Sequence, residues 1–384
     1  MIFPHTELSL SGERFTVHYR LVAADEVAAR EKAYGICLEQ TVEVPDILLA
    51  EDDIRAQVMG RIESLVGAEA GRYDVVISYA IETTAFEFTQ LLNVVFGNSA
   101  MQPGIRVLHL DLPNSLLQHF QGPRFGQQGL RDLVGVSKRP LLCTALKPMG
   151  LSAANLAELA YLLALGGIDI IKEDHGLSDQ PFARFHDRVG RGAEAIAAAN
   201  RQTGLNCLYV PNITAPFDQI VQRAHEAKKL GAGGVMVAPG LVGWDAMRLL
   251  AEDEGLALPI FSHPAWLGSF TSGWDHGLSH HVIFGQLPRL AGADATIFVN
   301  YGGRFDFSQE DCRGIVDASE RPLARLKPIM PVPAGGMTLE RLPELYDFYG
   351  VQAIFLIAGG LYAQGPDLLA NARQFRHAVE TLGH

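Results

Sequence analysis

From Leu141 onward, short apolar runs alternate with helical stretches eight times over, a pattern that very few architectures accommodate. The runs are LLCTALK (141–147), IDIIKED (168–174), NCLYVPNI (206–213), GVMVAP (234–239), PIFSH (259–263), DATIFVN (294–300), IMPVPAGG (329–336) and AIFLIAGG (353–360). Between and after them come helical stretches at 152–166, near 182–203, at 216–231 and 244–255, near 279–291 and 308–320, at 339–350 and from Asp367. Glycine sits at nearly every helix exit, where a left-handed residue ends the turn. Eight such units in roughly 245 residues predict a (β/α)8 barrel over 136–384.

Residues 1–135 read differently, as a small ferredoxin-like α+β domain. Strands are expected at 14–22, 73–81 and 105–113. Helices are expected from residue 27, over 53–67 and over 86–97, in the order β-α-β-α-β.

Composition narrows the function class. The 384 residues carry 43 acidic against 31 basic side chains, a net charge of −12, which argues against a nucleic-acid partner. No apolar run approaches the ~18 residues a membrane span needs. The start, MIFPHTELSLSGER, lacks the basic-then-apolar pattern of a signal peptide. Cys37, Cys143, Cys207 and Cys312 are scattered without CxxC spacing, which fits a reducing cytoplasm.

In a (β/α)8 barrel, chemistry resides where the strands end. Those ends supply Lys147; Lys172, Asp174 and His175; Asn212; His263; Asn300, with Arg304 just beyond; Ala334, Gly335 and Gly336; and Ala358, Gly359 and Gly360. Alternation along IDIIKED puts Lys172 and Asp174 on one face. A buried amine beside a carboxylate is either an ordinary ion pair or part of a metal site. The glycine pairs follow the seventh and eighth strands, where barrels commonly bind phosphate through backbone N–H groups, so a phosphorylated small-molecule substrate is expected.

The order of these pieces resembles the RuBisCO large subunit. The similar stretches are FQGP (120–123), RPLLCTALKPMGLS (139–152), GGIDIIKEDHGLSDQPFARFHDR (166–188), SHPA (262–265), PVPAGGM (331–337) and AGGLYAQG (358–365). The resemblance implies that Lys172 takes up CO2 as a carbamate and, with Asp174, binds Mg2+, with Mn2+ or another divalent ion as alternatives. His175 stands where the family has a second metal carboxylate. Lys147 matches a proton-moving lysine and His263 an active-site histidine. The loops at Ala334–Gly336 and Gly359–Gly360 match a phosphate site. Glu39 and Asn93, bland surface positions by sequence alone, match residues that a partner subunit contributes, which implies a homodimer with a shared site.

Departures from the family bear on the reaction. Met149 replaces a lysine, Pro264 replaces the arginine that grips a second phosphate, and the strand-six histidine is lost within Ile297–Phe298. The mobile-loop lysine falls at Arg304. Losing cations that stabilise developing charge typically reduces rates by orders of magnitude, so a RuBisCO-like protein that does not fix CO2 is expected. Two reactions suit one phosphate: enolisation or isomerisation of a phosphorylated ketose such as methylthioribulose 1-phosphate, and decarboxylation or hydrolysis of a β-keto sugar-acid phosphate, with Arg304 gripping the carboxylate. A Schiff-base aldolase and a non-catalytic regulatory protein are the readings from other classes.

Overall fold

The computed structural model describes residues 5–49, 53–69 and 71–382. It divides into two compact units: residues 1–120 with 267–286, and residues 121–266 with 287–384. The expected break after residue 135 falls inside the second unit. Helix Gly126–Val134 contributes Leu130 and Val134 to the apolar cluster at the heart of the barrel.

The first unit is built on strands β1 (Arg14–Val22), β2 (Arg61–Glu69), β3 (Arg72–Ala80) and β4 (Ile105–Asp111), with helices α1 (Glu26–Glu39) and α2 (Phe88–Phe96). Its sheet order is β4-β1-β3-β2, and the short strand Gly277–Leu278 pairs outside β4. The order β-α-β-β-α-β is that of a ferredoxin-like fold. The expected helix over 53–67 is not formed. A short π-helical turn, Ile54–Val58, leads into β2, which lies antiparallel to β3 at the sheet edge. A register shift between Ile62 and Ser64 explains the misleading period. A bulge interrupts two-residue alternation, so half-buried Ile62 and Leu65 stand three apart, as on a helix.

The second unit is the barrel, with strands β5 (Leu141–Leu146), β6 (Ile170–Glu173), β7 (Leu208–Val210), β8 (Val235–Val237), β9 (Ile260–Ser262), β10 (Ala295–Val299), β11 (Met330–Ala334) and β12 (Ile354–Leu356). They form one parallel sheet in the order β7-β6-β5-β12-β11-β10-β9-β8, and an isolated bridge between Asn212 and Met236 closes it. Alternate residues point inward: Leu141 and Cys143, Ile170, Val210, Met236, Phe261, Ala295 and Ile297, Met330 and Val332, Ile354 and Leu356 pack as one core. Seven of the eight predicted helices are regular; of the fifth, expected near 279–291, this unit holds only the short helix Leu287–Leu290, and the π-helix His281–Gln286 belongs to the first unit. Among the described residues, no helix is long and apolar enough to cross a membrane.

Strand β11, MPVPA, carries two prolines. It pairs with β10 at five positions but with β12 only through Ala334 and Leu356. The Met330 N–H donates to Asp294 O on the β10 side, at 2.9 Å. Alternate residues direct their N–H groups to the same neighbour, so Pro331 and Pro333 occupy positions that would otherwise donate toward β12, and proline has no N–H to give.

Candidate active site

Register places the first site residue. Cys143 pairs with Ile170 and Ala145 with Lys172, so Lys172 points inward one level above Ile170, beside a small alanine. Its side chain is almost wholly buried, and its Nζ donates to the Glu173 carbonyl at 2.8 Å. Burial pushes the Lys172 ammonium down to about 8, against the opposing pull of Asp174.

Asp174 follows on the same face, just past the strand end. It does not pair with Lys172. Lys147, at the end of β5, donates to its Oδ1 at 2.7 Å, and His175 Nδ1 lies 3.4 Å from the same oxygen. Burial opposes ionisation, but hydrogen bonds from His175 and Lys147 and the charges of Lys147 and Lys172 hold the Asp174 carboxyl well below the usual range. His263, just beyond β9, stacks on His175 with ring centroids 4.5 Å apart. Burial, and then the charge of Lys172, push His263 well below its ordinary value and keep it neutral. Its Nδ1 accepts from Ala265 N at 3.1 Å. Lys147, Lys172, Asp174, His175 and His263 therefore gather at one end of the barrel.

The neighbouring residue, Glu173, points the opposite way. Its carboxylate accepts from Arg188 Nε at 2.6 Å, Tyr209 Oη at 2.6 Å and Asn212 N at 3.0 Å, wholly buried. The ordinary buried ion pair weighed for this stretch exists, one residue away from the pair considered. Asn212 is a support: its Nδ2 donates to the carbonyls of His175 (2.9 Å) and Leu177 (2.8 Å), fixing the loop that carries His175. Asn300 is wholly buried, accepting from Tyr349 Oη at 2.6 Å. Met149 lies over Gly176, where a Cβ would collide with its methyl group.

The glycine loops also have a steric reason. Gly335 and Gly336 both adopt positive φ, +91° and +65°, and Gly335 has open space where a Cβ would be. A Cβ on Gly360 would collide with the Met337 carbonyl, so the loops after β11 and β12 approach each other closely. Gly359 is likewise open, and Ala334 and Ala358 are partly buried beneath. Arg304 is exposed, its guanidinium 4.8 Å over the Phe305 ring.

Glu39 and Asn93 lie in the first unit, at one end of its helices. Gln40 Nε2 donates to the Asn93 carbonyl at 2.8 Å, and the Glu39 carboxylate accepts from Asn98 Nδ2 at 3.0 Å. Sequence reasoning gave no hint of the Gln40 bridge, because a backbone carbonyl leaves no trace in residue type.

Among the described residues, no group of three or more His, Cys, Asp or Glu side chains is placed to hold a metal ion. The donor set nonetheless fits one divalent ion once Lys172 is counted. An amine near neutrality is the form that reacts with CO2, and its carbamate would add oxygen donors beside the ionised Asp174 and the His175 imidazole.

A (β/α)8 barrel with amines, a carboxylate and two imidazoles crowded at its strand ends defines the class: a barrel of the enzyme type. Comparison with known proteins places it further. Residues 126–383 match the family of the ribulose bisphosphate carboxylase large chain, catalytic domain. The chain is 40% identical to ribulose bisphosphate carboxylase-like protein 1 of Rhodopseudomonas palustris, over 97% of this chain and 99% of that one. It is 38% identical to 5-methylthioribulose-1-phosphate isomerase of Rhodospirillum rubrum, over 91% of each. The crystal structure of a Rubisco-like protein from Rhodopseudomonas palustris superimposes with a TM-score of 0.88 at 37% identity, covering 97% and 99% of the two chains. The chain belongs to the RuBisCO large-chain family, within its RuBisCO-like proteins.

Proposed function

We propose that this protein catalyses proton transfer next to the carbonyl of a phosphorylated ketose, an isomerisation of the 5-methylthioribulose 1-phosphate type, and does not fix CO2. The observation that carries the reading is the Lys147–Asp174 pair at 2.7 Å beside a buried Lys172 amine shifted to about 8. Lys147, held by an ionised carboxylate, would give a proton. Lys172, as amine or carbamate, would take one, and the neutral His263 would relay it. A mobile proton at each end of the reacting unit is what an isomerisation requires.

Mg2+, or Mn2+, would be held by carbamylated Lys172, Asp174 and His175. When bound, it would stabilise negative charge on the substrate oxygens as a Lewis acid. The turns at Gly335–Gly336 and Gly359–Gly360 would hold the single phosphoryl group. Glu39 and Asn93 would complete the site of a second copy in a homodimer. The similarity to the isomerase of Rhodospirillum rubrum supports the substrate class. The β-keto acid reading relied on Arg304, and an exposed guanidinium stacked on Phe305 lends it no support.

The test is solvent exchange. Protein supplied with bicarbonate and Mg2+ or Mn2+ should move deuterium from D2O onto the carbon next to the carbonyl of 5-methylthioribulose 1-phosphate, with NMR as readout, and Lys172→Met should abolish it. Release of CO2 from a β-keto acid phosphate without such exchange would overturn the reading.

A further inference from the structure

We propose that Arg341 is a positioning residue that locks the loop after β10 to the Gly335–Gly336 turn, so that the two loops meet an anion as one body. The anion part rests on the phosphate reading above; the lock itself does not.

Arg341 ends the 3-10 turn Leu339–Arg341 after β11 and stands at the N-cap of the helix Leu342–Tyr349. Its Nη1 donates to the Gly336 carbonyl at 3.1 Å, and Nη1 and Nη2 each approach the Tyr301 carbonyl at 3.5 Å. The guanidinium also lies 5.3 Å from the centre of the Tyr301 ring. Glu344 completes the arrangement, accepting from Arg341 Nε at 3.2 Å and from Tyr301 Oη at 2.8 Å. One planar cation thus spans carbonyls from two loops while its counter-ion holds the same tyrosine. Only a guanidinium offers that fork of coplanar donors.

Glycines make the approach possible. A Cβ on Gly336 would lie 3.0 Å from Arg341 Nη1 and 3.4 Å from Gly303 Cα, and one on Gly302 would lie 3.4 Å from Nη2. Both glycines also have positive φ, +68° at Gly302 and +65° at Gly336, which by itself favours glycine there. The lock also fixes the orientation of the peptide at Gly336. With its carbonyl turned to Arg341, the Met337 N–H of the same planar unit faces away from the arginine. The loop carrying Arg304 is therefore tethered at its base.

Hydrogen exchange tests the lock without any substrate. In ligand-free Arg341→Ala, amides of residues 300–308 should exchange about ten-fold faster than in wild type, while those of Phe185–Thr203 stay unchanged. Arg341→Lys, which keeps the charge but loses the fork, should fall between. Equal exchange in wild type and Arg341→Ala overturns the proposal, and so does acceleration in both regions alike, the mark of general loosening. Inorganic phosphate then tests the coupling. In wild type it should protect both 300–308 and 334–338; in Arg341→Ala it should protect only 334–338. Protection of 300–308 in both proteins overturns the coupling. Phosphate protecting neither loop in wild type overturns the anion part and the phosphate reading with it, while the ligand-free result still decides the lock. With the phosphorylated ketose, Arg341→Ala should raise KM about ten-fold with kcat changed less than about three-fold, and a fall in kcat alone counts against it.

Discussion

At the N-terminal end of the barrel strands, Asp169 accepts from both terminal nitrogens of Arg139, from Arg376 and from the Leu142 N–H, at 2.6–3.0 Å. At the C-terminal end, Asp174 has one lysine at 2.7 Å and one histidine at 3.4 Å. Asp294, just before β10 and so also at the N-terminal end, receives three backbone N–H groups, from Phe125, Gly126 and Ile260. Lys172, near Asp174, has a single carbonyl. The same fold thus treats buried charge in two ways. Where charge serves stability it is held by several partners; where it faces the barrel mouth it has one or two.

That contrast can be broken, most forcefully at the mouth. Lys172→Met or Lys147→Met should lower turnover about 1000-fold or more, the scale of a lost acid or base. Lys147→Met should cost some stability, since it leaves the Asp174 carboxylate without its 2.7 Å partner, whereas Lys172→Met should not lower the melting temperature much, since it removes a cation held by a single carbonyl. Kinetics and calorimetry on the same preparation check this, and a large loss of stability in Lys172→Met would contradict the contrast. At the other end, Asp169→Asn should do the reverse. Leaving the buried Arg139 and half-buried Arg376 guanidinium groups under-compensated costs about 3–5 kcal/mol. The melting temperature should fall by roughly 10 °C, with turnover per folded molecule unchanged.

Acidity sharpens the same comparison. Below about 8, Lys172 is protonated in the folded and unfolded protein alike. Between about 8 and the ordinary 10.5, only the unfolded chain holds that proton, so this group makes stability rise with pH across the window. Melting curves at several pH values should show a steeper rise in wild type than in Lys172→Met. The smallest effect is expected at Arg304: Arg304→Ala should change kcat/KM less than about three-fold, since nothing ties that side chain to the mouth. A loss of hundreds-fold would return weight to the carboxylate-gripping reading.

Much of this was legible from residue order. Eight repeats of strand and helix dictate the barrel, and two-residue alternation places Lys172 and Asp174 on the inner face. What escaped was pairing. Alternation says that Glu173 points outward but not that Arg188, fifteen residues on, meets it there. Nor does it say that Asp174 takes Lys147 instead of Lys172, since that depends on how β5 and β6 stand side by side. Arg341 was invisible for a different reason: its partners are carbonyls of glycine and tyrosine, which every residue possesses. The helix expected at 53–67 failed because a bulge gave an edge strand a three-residue rhythm.

The prolines of β11 have a consequence for how the barrel works. The other junctions in its wall are laced by strand pairs or, between β7 and β8, closed by the bridge from Asn212 to Met236, but the stave that ends in Ala334 is stitched to the next at a single pair. A wall thinned there can widen slightly without breaking many bonds, and the two glycine turns ride on either lip of the gap. If the two turns hold a phosphoryl group as proposed, it would tie together the two strands that the imide nitrogens leave loosely joined.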